Sequence, residues 1–327
     1  MRCRSKTKSV RVVSRFTVGL ILGLFVLGIS NAQNAEGSHP HKGRFHKAEP
    51  VTCGTTVQNG YYELTGDLTC SDNPAITITG PARLDLRGYT LSGDKDIGND
   101  CIRIRDNGGA TVSNGTVMNC KDGIRIESDH NKIISVISSN NDRRGFRIDG
   151  GNGNLLENCS AMNNGQQGFK IEGGGAHNRV TRSSATDNGR HGIQIDGGDR
   201  NEISSSTVRG SCRDGIEIVG NKNLVLHNHV EDNGNPQTCE DFGADYNPWA
   251  YAGIDVADVV SVSENNKIKY NNACGNQGCT GSENEPCVAR ERNFWDEYVD
   301  INGNHVLTNE WKSNTVCPEY MPSPEQD

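Results

Sequence analysis

Arg147, Lys170 and His191 bring two cations and an imidazole to spacings of 23 and 21 residues along the chain. Removing a proton from a carbon beside a carboxylate needs cations that neutralise that carboxylate and a base that accepts the proton. Arg147 and Lys170 carry the charge for the first task. Histidine titrates near neutral pH, so His191 is the best candidate base and Lys170 the second. A solvent-facing histidine without a catalytic role is the competing interpretation.

A second group of candidates is acidic and lies further along the chain. Asp214, Glu217, Asp255 and Asp300 offer carboxylate oxygens, and Ca²⁺ takes about six to eight oxygen ligands. Two carboxylates that flank a sugar linkage are also the machinery of glycoside hydrolysis. These four residues are therefore predicted to form a calcium site, with paired-carboxylate hydrolysis as the alternative.

A repeat of about 23 residues determines whether these side chains can meet. Five glycines follow one another at intervals of 22, 23, 24 and 23 residues, and an apolar-polar-apolar triplet follows each of them: Gly123, Gly145, Gly168, Gly192 and Gly215. Such alternation is typical of a strand with one buried face. Cys101 extends the register upstream, and Gly253 and Tyr298 extend it downstream. This unit is too short for a βαβ crossover of ~30 residues, so the chain is predicted to be all-β, a parallel β-helix solenoid of about eight coils.

A second periodic series supports the same architecture. Asparagines recur 22 to 24 residues apart at Asn131, Asn154, Asn178, Asn201 and Asn223. Stacked coils would align their amides into a buried, hydrogen-bonded ladder at a turn. The two series, with the stretch Leu84-Asp85-Leu86-Arg87-Gly88, resemble the right-handed parallel β-helix repeat proteins of the pectin-lyase-like superfamily over residues 70–310. That resemblance implies the fold and a choice among lyases, hydrolases, epimerases and adhesins; the pectate lyases among them use calcium.

Outward side chains of the repeated strand would form a charged row along the solenoid, with one residue every ~4.8 Å. From the first coil to the last the row reads Arg103, Arg125, Arg147, Lys170, Gln194, Glu217, Asp255 and Asp300. Its basic half matches the carboxylate repeat of a uronate polymer, so Arg103, Arg125 and Gln194 are predicted to bind an acidic polysaccharide. The alternative is that Glu127, Asp149 and Glu172 in the next row neutralise these cations.

Two insertions interrupt the period at residues 234–251 and 272–297 and carry many of the aromatic residues. Both enter just before a repeated strand, ahead of Gly253 and Tyr298, so they are expected to overhang the same edge of the first sheet. Tyr246 and Trp249 are predicted to stack on sugar rings there. Packing of the loops onto the solenoid is the other interpretation.

The cysteines and the N-terminal segment indicate an exported protein. Residues 1–32 combine basic residues, an apolar stretch and Ser30-Asn31-Ala32, which is typical of a signal peptide rather than a stable membrane anchor. The chain has 12 cysteines, and an oxidising compartment allows them to pair. We expect Cys53–Cys70 to close an N-terminal cap (51–72) and Cys101 to pair with Cys120. Six more cysteines have no assigned connectivity, which leaves Cys159 as a buried free thiol. These six are Cys212, Cys239, Cys274, Cys279, Cys287 and Cys317.

The remaining organisation follows from composition. A disordered, histidine-containing linker is predicted at 33–50, the solenoid at 51–317 and a polar tail at 318–327. The chain has 33 Lys and Arg against 41 Asp and Glu, a net charge of -8, which argues against nucleic-acid binding. The sequence thus predicts a secreted or periplasmic β-helix that binds an acidic polysaccharide, with β-elimination as the candidate reaction. A non-catalytic carbohydrate-binding or surface-structural solenoid and a glycoside hydrolase are the alternatives.

Overall fold

A computed structural model describes residues 47–94, 98–241, 252–257, 263–280, 288–291, 294–296 and 309–316. These residues lie in one compact unit, which begins at His46. The predicted leader (1–32) and tail (318–327), as well as Tyr246, Trp249 and Asp300, lie outside the described residues. Within the described part of the chain, no helix has both the length and the apolar character needed to cross a membrane.

The first sheet contains the repeated strand of each coil, and its neighbouring strands are parallel. In order the strands are Thr55–Val57, Ile76–Ile78, Ile102–Ile104, Ile124–Ile126, Phe146–Asp149, Phe169–Glu172, Ile193–Asp196, Ile216–Val219, Ile254–Val256 and Phe294–Asp296. The eight strands that begin with Ile102–Ile104 confirm the prediction of about eight coils. The first two strands add coils at the N-terminal end.

The second sheet supplies the other two walls of each coil. Its 19 strands are Glu49–Pro50, Gly60–Glu63, Leu68–Thr69, Ala82–Asp85, Thr90–Ser92, Thr111–Met118, Lys132–Ser139, Leu155–Glu157, Ser160–Met162, Arg179–Thr181, Ser184–Thr186, Glu202–Ser204, Thr207–Arg209, Leu224–Leu226, His229–Glu231, Lys267–Lys269, Asn272–Cys274, Glu310–Lys312 and Thr315–Val316. Outside the walls lie the helix Pro236–Asp241 and an antiparallel hairpin, Gln277–Thr280 with Val288–Glu291.

Strand alternation builds the core because every second side chain points into the coil. Ile102, Ile124, Phe146 and Phe169 are stacked one above another in register and are fully or almost fully buried. The rings of Phe146 and Phe169 are stacked with centroids 4.9 Å apart. Each coil therefore buries its apolar residues only by stacking on its neighbours.

The predicted asparagine ladder is confirmed and lines one interior turn. The backbone N–H of Asn154 donates to the side-chain oxygen of Asn178 at 2.8 Å, and Asn178 makes the same bond to Asn201. The ladder continues beyond the predicted five members, through Asn266 to Asn309. Turns between walls also use left-handed residues at recurrent positions, which suits asparagine and glycine.

Disulfides hold both the N-terminal coil and the first insertion. The predicted pairs Cys53–Cys70 and Cys101–Cys120 are present, and Cys212 bonds to Cys239. The cap predicted at 51–72 is itself a coil, because Thr55–Val57 pairs with Ile76–Ile78 in the first sheet. The linker predicted to reach residue 50 ends earlier, since Glu49–Pro50 is already a strand paired with Gly60–Glu63.

The second insertion is shorter than predicted, which changes the register beyond it. Asn272–Cys274 belongs to a wall, where it pairs with His229–Glu231. The first sheet resumes at Phe294–Asp296, so Trp295 lies opposite Asp255, the position expected for Asp300. Val299-Asp300-Ile301 alternates apolar and polar residues, whereas Phe294-Trp295-Asp296 does not. The alternation therefore favoured the wrong segment, and periodicity could not reveal the length that the hairpin takes up.

Candidate functional site

The candidate site is the outer surface of the first sheet, called here the first-sheet face. It comprises the outward side chains of the strands from Ile102–Ile104 to Ile254–Val256 and the residue that precedes the glycine position of each coil. Strand register aligns the predicted row: Arg103, Arg125, Arg147, Lys170, Gln194, Glu217 and Asp255. The row itself is thus confirmed as far as Asp255.

Arginines at the N-terminal end of the face are held by carboxylates of the next row. Arg103 makes a bidentate contact with Glu127, at 2.7 and 2.8 Å. Arg125 places one guanidinium nitrogen 2.7 Å from both Glu127 and Asp149. Each cation is therefore shared between coils, and the surface charge cancels locally.

The same arrangement holds the two cations predicted to neutralise a substrate. Arg147 contacts Glu172, lies 3.0 Å from Asp149, and lies 3.6 Å from Asp122. The Lys170 ammonium lies 2.8 Å from both Glu172 and Asp196. Burial, the largest single influence, raises the pKa of Glu172, but the Lys170 hydrogen bond and the charges of Arg144, Lys170 and Arg147 together lower it.

Two buried carboxylates, Asp100 and Asp122, occupy the position before the repeated strand at the N-terminal end. Asp122 is fully buried, 3.7 Å from Arg144, and accepts that residue's backbone N–H at 3.1 Å. Burial and the neighbouring Asp122 raise the pKa of Asp100. Sequence reasoning missed Asp100, although it stands directly before Cys101, as Asp122 stands directly before Gly123.

At the C-terminal end of the face a histidine lies between two carboxylates. His191 is only 4% exposed, so it is not the solvent-facing side chain of the competing interpretation. Its Nδ1 lies 3.1 Å from Asp214 Oδ2, and its Nε2 lies 3.8 Å from Glu217 Oε2. The other oxygen of Asp214 accepts the backbone N–H of Ala252, which fixes the carboxylate. The contact with Asp214 is a charge contact without hydrogen-bond geometry, since Nδ1 is buried and has no hydrogen-bond partner. The carboxylate therefore acts on the imidazole through its charge, and Nε2 is left for proton transfer.

Two glutamines connect this histidine to the rest of the face. Gln167 donates to Gln194 at 2.7 Å, and Gln194 donates to Glu217. The side-chain oxygen of Gln167 is buried without a hydrogen-bond partner. A buried acceptor left in this state is costly to the fold, and polar ligands can satisfy such atoms.

The acidic residues predicted as a calcium site are only partly assembled. Among the described residues, His191, Asp214 and Glu217 offer ligand atoms within 4.8 Å of one another. That set contains a nitrogen, whereas calcium prefers oxygen ligands alone. Asp255 is buried opposite Glu217 in the adjacent strand, and Asp300 lies outside the described residues. Calcium dependence therefore stays a prediction.

Comparisons with known proteins agree with this architecture. A family model described as a right handed beta helix region matches residues 100–258. Tailspike protein 2 of Escherichia coli O157:H7 bacteriophage CAB120 is 13% identical with a TM-score of 0.51, over 83% of this chain and 38% of the tailspike. A variant of the periplasmic alginate epimerase AlgG is 14% identical with a TM-score of 0.50, over 80% of this chain and 71% of the epimerase.

A third similar structure is the catalytic domain of a GH87 α-1,3-glucanase in complex with tetrasaccharides. It is 11% identical with a TM-score of 0.50, over 83% of this chain and 61% of the glucanase. No curated protein sequence matches the chain. At these identities the similarity shows a shared fold and assigns no activity.

Proposed function

We propose that the chain, in which residues 100–258 match a right handed beta helix region, is exported and binds a polysaccharide lengthwise on the first-sheet face. His191 acts there as the proton-transfer group, and the charge of Asp214 acts on it. One observation carries this proposal: a buried imidazole lies 3.1 Å from a carboxylate that a backbone N–H fixes in place.

The proposed polymer is acidic, and the reaction is β-elimination. Nε2 of His191 takes the C5 proton of a uronate unit, a C4–C5 double bond forms, and the C4–O bond breaks. The leaving oxygen takes a proton from solvent water, and His191 later returns its proton to the solvent. Arg147 and Lys170 neutralise the substrate carboxylate by exchanging contacts with Glu172 and its neighbours. Such neutralisation lowers the pKa of the C5 proton.

Two observations support a polysaccharide as the ligand, and a third supports export. The row of polar side chains advances one residue per coil, which gives a linear polymer repeated contacts along the axis. Similar folds in solved structures include an alginate epimerase and a glucanase bound to tetrasaccharides. Three disulfides among the described residues support export to an oxidising compartment.

Charge pairing in the N-terminal half favours a second candidate, a carbohydrate-binding solenoid without catalysis. Arg103, Arg125, Arg147 and Lys170 all have carboxylate partners, so they stabilise the face without any ligand. The hydrolase alternative would be of the retaining kind. Asp214 and Glu217 offer oxygens within 4.8 Å of each other, which is nearer the ~5–5.5 Å of retaining glycosidases than the ~6.5–9.5 Å of inverting ones.

The decisive experiment offers pectate, alginate and chondroitin to the full chain, with and without Ca²⁺, and follows ultraviolet absorbance of an unsaturated product. A lyase gives product that His191→Ala abolishes, whereas Arg179→Ala on the second sheet leaves the rate unchanged. Binding without product, weakened by Lys170→Ala or Arg147→Ala, selects the binding solenoid. Absence of both binding and product contradicts the proposal.

A further inference from the structure

Tyr61 presents an exposed aromatic ring on the second sheet, in a different wall from the first-sheet face. It lies in the strand Gly60–Glu63, where it is 43% exposed. Register aligns it with Arg83 and then Thr111 in the following coils. A single exposed ring is ordinary on a protein surface, so the case for a contact site depends on what adjoins it.

Cavities adjoin this ring. One has a volume of about 500 Å³ and is lined by Tyr61, Glu63, Arg83, Asp85 and Arg87, among others. A second, of about 300 Å³, is lined by Tyr61, Lys47 and Asn59. Tyr61 therefore borders both depressions, and the larger one falls within the range of volumes typical of small-ligand sites.

Charged groups of both signs line the larger depression: Arg83, Arg87 and Lys132 are the cations, and Glu63 and Asp85 are the carboxylates. The Arg83 guanidinium lies 5.3 Å from the centroid of the Tyr61 ring. Glu63 lies 3.5 Å from Arg87, and Asp85 accepts the backbone N–H of Arg87 at 2.8 Å. Donors and acceptors thus alternate beside an aromatic surface. Positive charge exceeds negative charge by one, and the lining offers several hydrogen-bond donors and acceptors. This chemistry suits a ligand that carries several hydroxyl groups.

The strand that carries Tyr61 is held in place before any ligand binds. The disulfide Cys53–Cys70 closes the coil that contains it. Tyr62 and Leu68 pack partly buried against the core. A surface that is already ordered loses less conformational entropy on binding.

We propose that Tyr61, Glu63, Arg83, Asp85 and Arg87 form a second carbohydrate-binding site, called the Tyr61 site, that takes a neutral pyranose unit of an oligosaccharide. The sugar ring stacks on the exposed part of Tyr61. Its hydroxyl groups donate to the carboxylates of Glu63 and Asp85 and accept from Arg87. The Tyr61 site neither uses the first-sheet face nor requires chemistry there.

The test uses the full chain with four neutral hexasaccharides: cellohexaose, xylohexaose, mannohexaose and maltohexaose. Saturation-transfer NMR detects binding, and calorimetric titration measures the dissociation constant. Tyr61→Ala should weaken binding of at least one hexasaccharide about tenfold or more, as loss of a central aromatic contact does. Tyr89→Ala is the matched control, because Tyr89 is another exposed tyrosine, at 38%.

Further variants separate this site from folding defects and from the first-sheet face. Tyr61→Phe keeps the ring and should keep the affinity, whereas Arg83→Ala should reduce it. Tyr61→Ala should leave binding of oligogalacturonate unchanged, and His191→Ala should leave binding of the hexasaccharide unchanged. Equal affinity of Tyr61→Ala and Tyr89→Ala, or no binding of any of the four hexasaccharides, would overturn the Tyr61 site without bearing on the proposed function.

Discussion

Asp122 and Asp214 occupy the same position before a repeated strand in the two halves of the first-sheet face, yet they have different surroundings. Asp122 lies 3.7 Å from Arg144 and 3.6 Å from Arg147, so its charge is balanced by permanent cations. Asp214 lies 3.1 Å from His191, a group whose charge depends on protonation. In one half of the face the buried carboxylate is therefore paired with permanent cations, and in the other it is paired with an imidazole.

The largest effect should come from exchanging the carboxylate in each half. Asp214→Asn removes the carboxylate charge beside His191, and turnover should fall about 10²-fold or more because general acid–base catalysis contributes at least that factor. Asp122→Asn is the matched variant and should change turnover little while lowering the unfolding midpoint. Initial rates of unsaturated product formation measure the first effect, and thermal unfolding measures the second. Equal rate losses in both variants would remove the distinction between the halves.

Charge pairing in the N-terminal half is tested by Lys170→Met. The Lys170 side chain is 10% exposed and lies between Glu172 and Asp196. The substitution therefore removes one of the cations beside Glu172, which keeps Arg147, and takes this cation away from Asp196. We expect a loss of about 1–3 kcal/mol in the free energy of unfolding, reduced towards the lower value because Asp196 is solvated. Arg179→Met, whose side chain is 54% exposed beside Glu202, should cost about 0–1 kcal/mol. Urea unfolding compares them, and similar losses would contradict the interpretation.

Acid titration should distinguish two carboxylates of the same half. The pKa of Glu172 is lowered, so its stabilisation is complete above 4.5 and is lost as the pH falls below that value. Glu172→Gln should make the free energy of unfolding depend less on pH in this acid range.

The pKa of Asp100 is raised from 3.8, so its ionised form destabilises the fold at neutral pH. Asp100→Asn should stabilise the protein at pH 7, with the gain disappearing below 3.8. Unfolding free energies measured across pH check both signs, and a loss of stability in Asp100→Asn at pH 7 would refute the second.

The smallest effect is expected inside the solenoid, where equivalent polar side chains of successive coils are hydrogen-bonded to one another. The backbone N–H of Cys159 donates to Ser183 Oγ at 3.1 Å, and Ser183 makes the same contact with Ser206. Cys159→Ser continues this series and should change stability by less than about 1 kcal/mol. Burial raises the pKa of the Cys159 thiol to about 12, so it should react with thiol reagents only after unfolding. Rapid labelling of the native protein would show that the interior is open.

Much of the fold was predictable because a strand repeat is a local property that sequence periodicity records. The inward Ile and Phe series, the asparagine ladder and the pairing of Cys101 with Cys120 follow from spacing alone. Parts of the candidate site were also predictable, since register places Lys170 beside Gln194 and Gln194 beside Glu217. Asp100 was missed because Cys101, and not the repeated glycine, separates it from the strand Ile102–Ile104.

By itself, the sequence determined that polar side chains would stand in rows, because a period that matches the coil repeats the same geometry in every turn. Only the tertiary structure decided which charges cancel, because that depends on how long side chains reach across coils. It likewise decided that His191 is buried against Asp214, and that the register resumes at Phe294–Asp296 after the hairpin. The reason is physical: periodicity fixes where a backbone lies, while side-chain conformations and loop lengths are selected by packing against distant parts of the chain.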